Sequence, residues 1–260
     1  MFAFQDSRDA VEVAFTDRHG GSSTGGFASL DLATPRDPAD AEQLRAAREN
    51  LDLVARVFTG APDGALSPAS PVSGPPSLPP VVVMRQVHGA DVAVVDEASA
   101  SAPPVADALV TTAPGVVLLV RVADCVPVLL SDATAGVVAA VHAGRPGLVA
   151  GVVPAALAAM ADLGAADVRA WVGPRVCGAC YEVPTAMRAE VSAVVPEAWG
   201  ETSWGTPSVD VGAGVLAQLA AGGVEVVDAA RCTREDEDLF SYRRQGTASG
   251  RLGGLVWMRP

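Results

Sequence analysis

The chain contains no lysine, only three histidines and no apolar run long enough to cross a bilayer. All 18 of its basic residues are therefore arginine. The missing amine excludes a Schiff-base lysine, a lysine-anchored pyridoxal cofactor and a standard P-loop. An anionic substrate would have to be held by guanidinium groups, backbone amides or a metal. Apolar runs such as VVLLV at 116–120 and VPVLL at 126–130 stop well short of the ~20 residues of a transmembrane helix. The opening MFAFQDSRDA has neither the basic start nor the apolar stretch of a secretion signal. The expectation is a soluble cytoplasmic protein with no membrane partner.

Basic residues are outnumbered by 30 acidic ones, giving a formal charge of −12. Nucleic-acid binding draws on cationic contacts with phosphate, so a DNA or RNA partner is not expected. Half of the residues are hydrophobic, enough for a substantial core. Cysteines stand at 125, 177, 180 and 232, and in a cytosolic chain they should be reduced rather than form a disulfide framework.

Along the chain, VEVAFT reads as a strand and RHGGSSTGGFASLDL as a Gly/Ser-rich turn. A polar helix is expected from Pro38 to Val57, with Asp37 as its cap. Residues 61–80 are rich in Pro, Gly, Ala and Ser and read as a flexible loop, because they cannot bury enough apolar surface to offset their ordering entropy. From residue 81 the pattern turns to short β-branched runs: VVVMRQV, DVAVV, DALVTT, VVLLVRVAD, PVLL and GVVAAV. GLVAGVVPAALAAMADLG, 147–164, reads as a buried helix that Pro154 either kinks or begins. VRAWVG is a strand, TAMRAEVSAVV and VDVGAGVLAQLAAGG are helices, and VEVVDA and RLGGLVWMR are late strands. Interspersed elements without strict βαβ alternation indicate α+β: one domain over 1–260, with mixed β-sheets flanked by helices.

His88, Cys125 and His142 each read as the end of an apolar strand beside a turn. Strand ends of one sheet can converge, and imidazole with thiolate suits zinc, three protein ligands leaving the fourth position for water or substrate. The gaps of 37 and 17 residues are unlike the close pairs of a zinc finger. On spacing alone, three unrelated core residues is the more economical reading. A metal-free Cys–His hydrolase is the competing chemistry, with Cys125 as nucleophile, His142 as base and Asp124 or Asp107 as orienter. It has no need of His88; a zinc site does. Cys177 and Cys180 form CGAC, the spacing of a zinc or redox pair, but with no second pair and Cys232 alone they read as loop or core cysteines.

RHGGSS followed by SLDL, then QVHGADV, ADALVTT, ADCVPVLL, VHAG, VGPRVCGACYEV, RCT and FSYRRQG, in that order, resemble the YfiH-like or laccase-domain family over nearly the whole chain. The resemblance implies that family's fold and a zinc bound by the residues that fall here on His88, Cys125 and His142. It also implies purine nucleoside phosphorylase activity on adenosine, inosine, guanosine or methylthioadenosine with phosphate, and adenosine deaminase activity. Arg18, Arg85, Arg243 and Arg244 lie in family-like motifs as candidate phosphate ligands, and Asp124 and Glu182 as candidate acid/base groups.

The family's older polyphenol oxidase label can be tested by counting. A blue-copper centre takes two histidines and a cysteine. A further copper cluster would need many more histidines than three, although copper could substitute at the site. Two departures touch the substrate region. HAGRPG replaces the common HAGWRG, moving the arginine to Arg145, and SLDL puts Asp31 where an amide is usual. A non-catalytic, metal-stabilised binding protein is the third reading.

Overall fold

A computed structural model describes residues 1–33, 40–62 and 78–260. In chain order the elements are β1 (Phe2–Arg8), β2 (Val11–Thr16), α1 (Ala41–Thr59), β3 (Val81–Val83), β4 (Val92–Val94), β5 (Ala108–Thr111) and β6 (Val117–Val122). Next come β7 (Val126–Asp132), β8 (Val137–Ala143), α2 (Arg145–Ala150), α3 (Val152–Asp162), β9 (Arg169–Val172) and α4 (Thr185–Val194). The chain closes with β10 (Trp199–Glu201), β11 (Pro207–Val209), α5 (Val211–Ala221), β12 (Glu225–Asp228), α6 (Tyr242–Gln245) and β13 (Leu252–Met258).

Two mixed sheets carry the architecture: β1-β2-β13-β6-β3 and β12-β9-β7-β8-β5-β4, with β10 and β11 forming a small hairpin apart. Alternate residues of the central strands enter different cores. Leu118, Val120, Leu129, Val138, Ala140 and Val256 meet between the sheets. Val128, Leu130, Val137, Ala139 and Val141 face α2, α3 and α5. Val117, Leu119, Leu255 and Trp257 face Val54 and Phe58 of α1. Strands covered on both faces read as unbroken apolar runs, which is why VVLLV and VPVLL carry no alternation. The α+β reading with mixed sheets and flanking helices holds, as a four-layered helix–sheet–sheet–helix arrangement.

Several local expectations change. β1, not expected, pairs with β2 at the sheet edge. The helix α1 begins at Ala41, and its cap is Asp40, whose carboxylate accepts from the Glu42 and Gln43 amides at 3.1 and 3.0 Å. Asp37 and Pro38 lie outside the described residues, as does most of the 61–80 loop. The helix expected over 147–164 is two helices broken at Gly151, whose φ of 82° only glycine adopts readily. Pro154 sits in the first turn of α3, where its missing N–H costs nothing. No described helix is long and apolar enough to cross a membrane.

Candidate active site

Register builds the site. Within the six-stranded sheet β7 pairs with β8 so that Pro127 faces His142, which sets Cys125, one residue before β7, at the end of β8. β5 pairs with β8 through Ala108 and Val141, and the His142 amide donates to the Asp107 carbonyl at 2.7 Å. The Asp107 side chain thereby lies against the imidazole, whose Nδ1 stands 2.8 Å from its Oδ1. The three candidate ligands do not all end strands. His142 lies within β8, Cys125 precedes β7, and His88 follows β3 by five residues.

What carries His88 back to the site is Asp107. Its fully buried carboxylate accepts from the amides of Val87, His88 and Gly89 at 3.2, 2.9 and 2.7 Å, as well as facing His142. Successive amides converging on one anion require a tight local turn, and His88 adopts φ 63° to make it. Burial alone would raise the Asp107 pKa; the hydrogen bonds from His142 and Gly89 outweigh it, and the carboxyl stays below its ordinary value.

Gly144 closes the third side. A Cβ there would lie 2.5 Å from His88 Cδ2 and 3.3 Å from Cys125 Sγ, so only glycine lets the chain pass. Cys125 Sγ is 3.7 Å from His88 Nε2, and one ligand atom from each of His88, Cys125 and His142 lies within 4.8 Å of the others. With the Asp107 hydrogen bond holding Nδ1, His142 presents Nε2. Burial opposes ionisation of the thiol, yet hydrogen bonds to His142 and His88 bring the Cys125 pKa down to about 6. Burial likewise opposes the imidazolium of His142, but its bonds to Asp107 and Cys125 raise that pKa to about 9. The site thus favours the thiolate, the form that ligates metal. Two imidazoles, one thiolate and a carboxylate orienting a histidine from behind form a donor set that fits zinc.

The cluster opens into a cavity of about 610 Å³. Five guanidinium groups line it, from Arg85, Arg121, Arg145, Arg243 and Arg251, with Asp124 as the one carboxylate among the described lining residues. Asp124 is nearly buried and already engaged: its oxygens accept from Thr233 Oγ1 and from the Arg243 amide, both at 2.6 Å. Burial, and after it the neighbouring Arg251, depresses the Arg121 guanidinium, with Asp31 pulling the other way. Tyr181 and Tyr242 supply aromatic wall, and Arg243 packs over Tyr181 at 4.3 Å while donating to the Glu182 carbonyl at 2.9 Å.

The sequence candidates divide. Arg85, Arg145 and Arg243 reach the cavity, and among the described residues the guanidinium groups of Arg85 and Arg145 have no hydrogen-bond or ion-pair partner. Arg18 donates to the Ala28 carbonyl at 2.8 Å and stacks on Phe240, outside the lining. Arg244 is spent on carbonyls of Thr233, Arg234, Asp236 and Leu239. Asp31 caps its own loop, accepting from the amides of Ala33 and Arg251, both at 2.8 Å. Glu182 is exposed, takes the Trp204 indole N–H at 3.0 Å, and does not line the cavity. His19 lies apart, 2.8 Å from Asp238. Sequence reasoning missed Arg121, Arg251 and the tyrosines. Arg121 left a signal as the one charge in the strand VLLVRV, and the tyrosines lie within the motifs VGPRVCGACYEV and FSYRRQG.

Residues 72–259 match the family model described as multi-copper polyphenol oxidoreductase laccase. A purine nucleoside phosphorylase of Streptomyces coelicolor is 50% identical over 99% of this chain and 100% of its own length. One of Corynebacterium glutamicum is 44% identical over 95% of this chain and 94% of its own. Among solved structures, a Neisseria meningitidis protein superposes with a TM-score of 0.79 at 30% identity, covering 98% of this chain and 96% of that one. YlmD from Geobacillus stearothermophilus gives 0.80 at 27% identity, covering 96% and 93%.

Proposed function

The chain belongs to the multi-copper polyphenol oxidoreductase laccase family, and from that premise we propose that it is a zinc-dependent purine nucleoside phosphorylase, cleaving a purine nucleoside with phosphate to base and sugar 1-phosphate. The observation that carries the reading is charge placement. Among the described residues, a chain of net charge −12 gathers five arginines around one cavity, against a single carboxylate whose oxygens are already hydrogen-bonded. Such a cavity is built to receive an anion.

Arg85 and Arg145, with guanidinium groups uncommitted among the described residues, bind phosphate in this reading, and Arg121 and Arg251 add charge from the cavity wall. Tyr181 and Tyr242 offer flat apolar faces for the purine. Asp124 is a positioning residue in this reading: by holding the Arg243 amide and Thr233 it fixes the loop that carries Arg243. His88, Cys125 and His142 hold the zinc, with Asp107 setting the tautomer of His142. When bound there, the ion supplies Lewis acidity toward an oxygen of phosphate or nucleoside. A multinuclear copper centre lacks ligands, because two histidines reach the site and the third, His19, is paired with Asp238.

The Cys–His hydrolase reading would use Cys125, His142 and Asp107, but it leaves His88 without a task. The test is chromatography of adenosine, inosine, guanosine and methylthioadenosine incubated with zinc-verified protein, with and without phosphate. Free base formed only with phosphate supports phosphorolysis; inosine from adenosine means deamination; no product in either arm leaves a binding protein. His88→Ala is expected to abolish zinc retention at this site and turnover together, and full activity in that variant restores the hydrolase.

A further inference from the structure

Cys232 is not the isolated thiol its place in the sequence suggests. Among the described residues, Cys177, Cys180, Cys232 and Glu235 form a second group whose ligand atoms all lie within 4.8 Å of one another. Two local turns of one design present them. In the first, the amides of Cys180 and Tyr181 donate to the Cys177 carbonyl at 3.0 and 3.1 Å. In the second, those of Glu235 and Asp236 donate to the Cys232 carbonyl at 3.2 and 2.9 Å. Each turn offers ligands at positions i and i+3, so CGAC is answered by CTRE across 51 intervening residues. A parallel bridge between Arg175 and Cys232 sets the turns side by side, through Arg175 N to Arg231 O at 3.1 Å and Thr233 N to Arg175 O at 3.0 Å.

The fit at the first turn is tight. A Cβ at Gly178 would come within 2.6 Å of the Asp210 carboxylate. Cys180 is buried, and its thiol lies 3.4 Å from Glu235 Oε1. Four donors crowded so closely repel one another when ionised, and a divalent cation relieves that repulsion.

We propose that Cys177, Cys180, Cys232 and Glu235 form a second metal site that takes zinc as a structural ion. Paired two-residue spacings and soft thiolate donors select zinc, and four protein ligands close the coordination shell that the His88 group leaves open. The ion would staple the loop before α4 to the loop after β12. Val176 and Tyr181 of the first loop line the cavity, and Thr233 of the second holds Asp124. The site acts on the active site through these walls and touches no substrate.

The test removes the other site first. His88→Ala/Cys125→Ala/His142→Ala protein, purified without chelator and confirmed folded by circular dichroism, is expected to retain one zinc per chain by elemental analysis. Adding Cys177→Ser and Cys180→Ser is expected to remove it and lower the Tm. Cobalt loaded into the triple variant should give thiolate-to-cobalt charge-transfer absorption, which falls in intensity with Cys232→Ser. Glu235→Gln should weaken zinc retention and leave the thiolate bands in place. Folded triple variant with no zinc and no charge-transfer band overturns the proposal. A Cys177–Cys180 or Cys177–Cys232 disulfide in freshly purified wild-type protein, found by mass spectrometry after alkylation without reductant, overturns it too. Neither readout depends on nucleoside turnover, so failure here and failure of the phosphorylase reading are separable.

Discussion

Asp107→Asn removes a charge and a pair of lone-pair sites while keeping volume, at a position that is fully buried. The carboxylate divides its work: Oδ1 serves the His88 amide and His142 Nδ1, and Oδ2 serves the amides of Val87 and Gly89. An asparagine oriented to keep the Oδ1 contacts turns its NH2 toward two amide N–H groups, leaving both unsatisfied in a dry interior. At about 1–3 kcal/mol for each buried group left without a partner, the expected loss of stability is ~2–6 kcal/mol. The opposite orientation instead points the NH2 at His142 and the His88 amide, disturbing both imidazoles. Removing a carboxylate that orients a metal-ligating histidine weakens metal binding by about 10–100-fold. Urea unfolding of metal-free protein measures the first quantity and competitive chelator titration the second. An Asp107→Asn protein with zinc affinity within about twofold of wild type and unchanged urea midpoint would refute the claim that this residue assembles the site.

Two further perturbations probe neighbouring parts of the argument. Gly144→Ala places a methyl 2.5 Å from the His88 ring; overpacking of this kind costs about 1–3 kcal/mol, and the displaced ring should lower zinc affinity, read by the same chelator titration. Unchanged affinity would mean that His88 is free to move aside. Arg145→Gln should raise KM for phosphate by about 10–100-fold, the worth of a charge-assisted hydrogen bond of about 1.5–3 kcal/mol, with KM for nucleoside much less affected; equal effects on both, seen in initial-rate kinetics, would place the phosphate elsewhere.

Much of the fold was legible in the sequence because short β-branched runs punctuated by Gly, Pro and Asp leave few alternatives. β2 to β9, β12 and β13 lie where those runs are, and α4 and α5 lie where the helices were expected. The runs with no alternation gave the strands but not the layers, since a strand buried on both faces looks the same whichever sheet it joins. The edge strand β1 was hidden because FAFQDSR is half polar. At 147–164 the apolar pattern was helical throughout, and the break fell at Gly151, where a positive φ was needed, rather than at the more conspicuous proline.

The candidate site divides along the same line. Residue chemistry made His88, Cys125 and His142 candidates, but on spacing alone three unrelated core residues was the more economical reading, and it was the family resemblance that singled them out. Their meeting, and the choice of Asp107 over Asp124 as the orienting carboxylate, depended on strand register, because only the β5–β8 pairing sets Asp107 against His142. Arginine roles were decided the same way: Arg243 and Arg244 are adjacent in the chain, yet one guanidinium lines the cavity and the other is consumed by backbone carbonyls. The spacing of CGAC was visible from the start, but its partner Cys232 lies more than fifty residues on. A side chain's chemistry is local and is written in the sequence. Its neighbours come from hydrogen-bond register and loop closure summed over the whole chain, and only the tertiary structure carries that sum out.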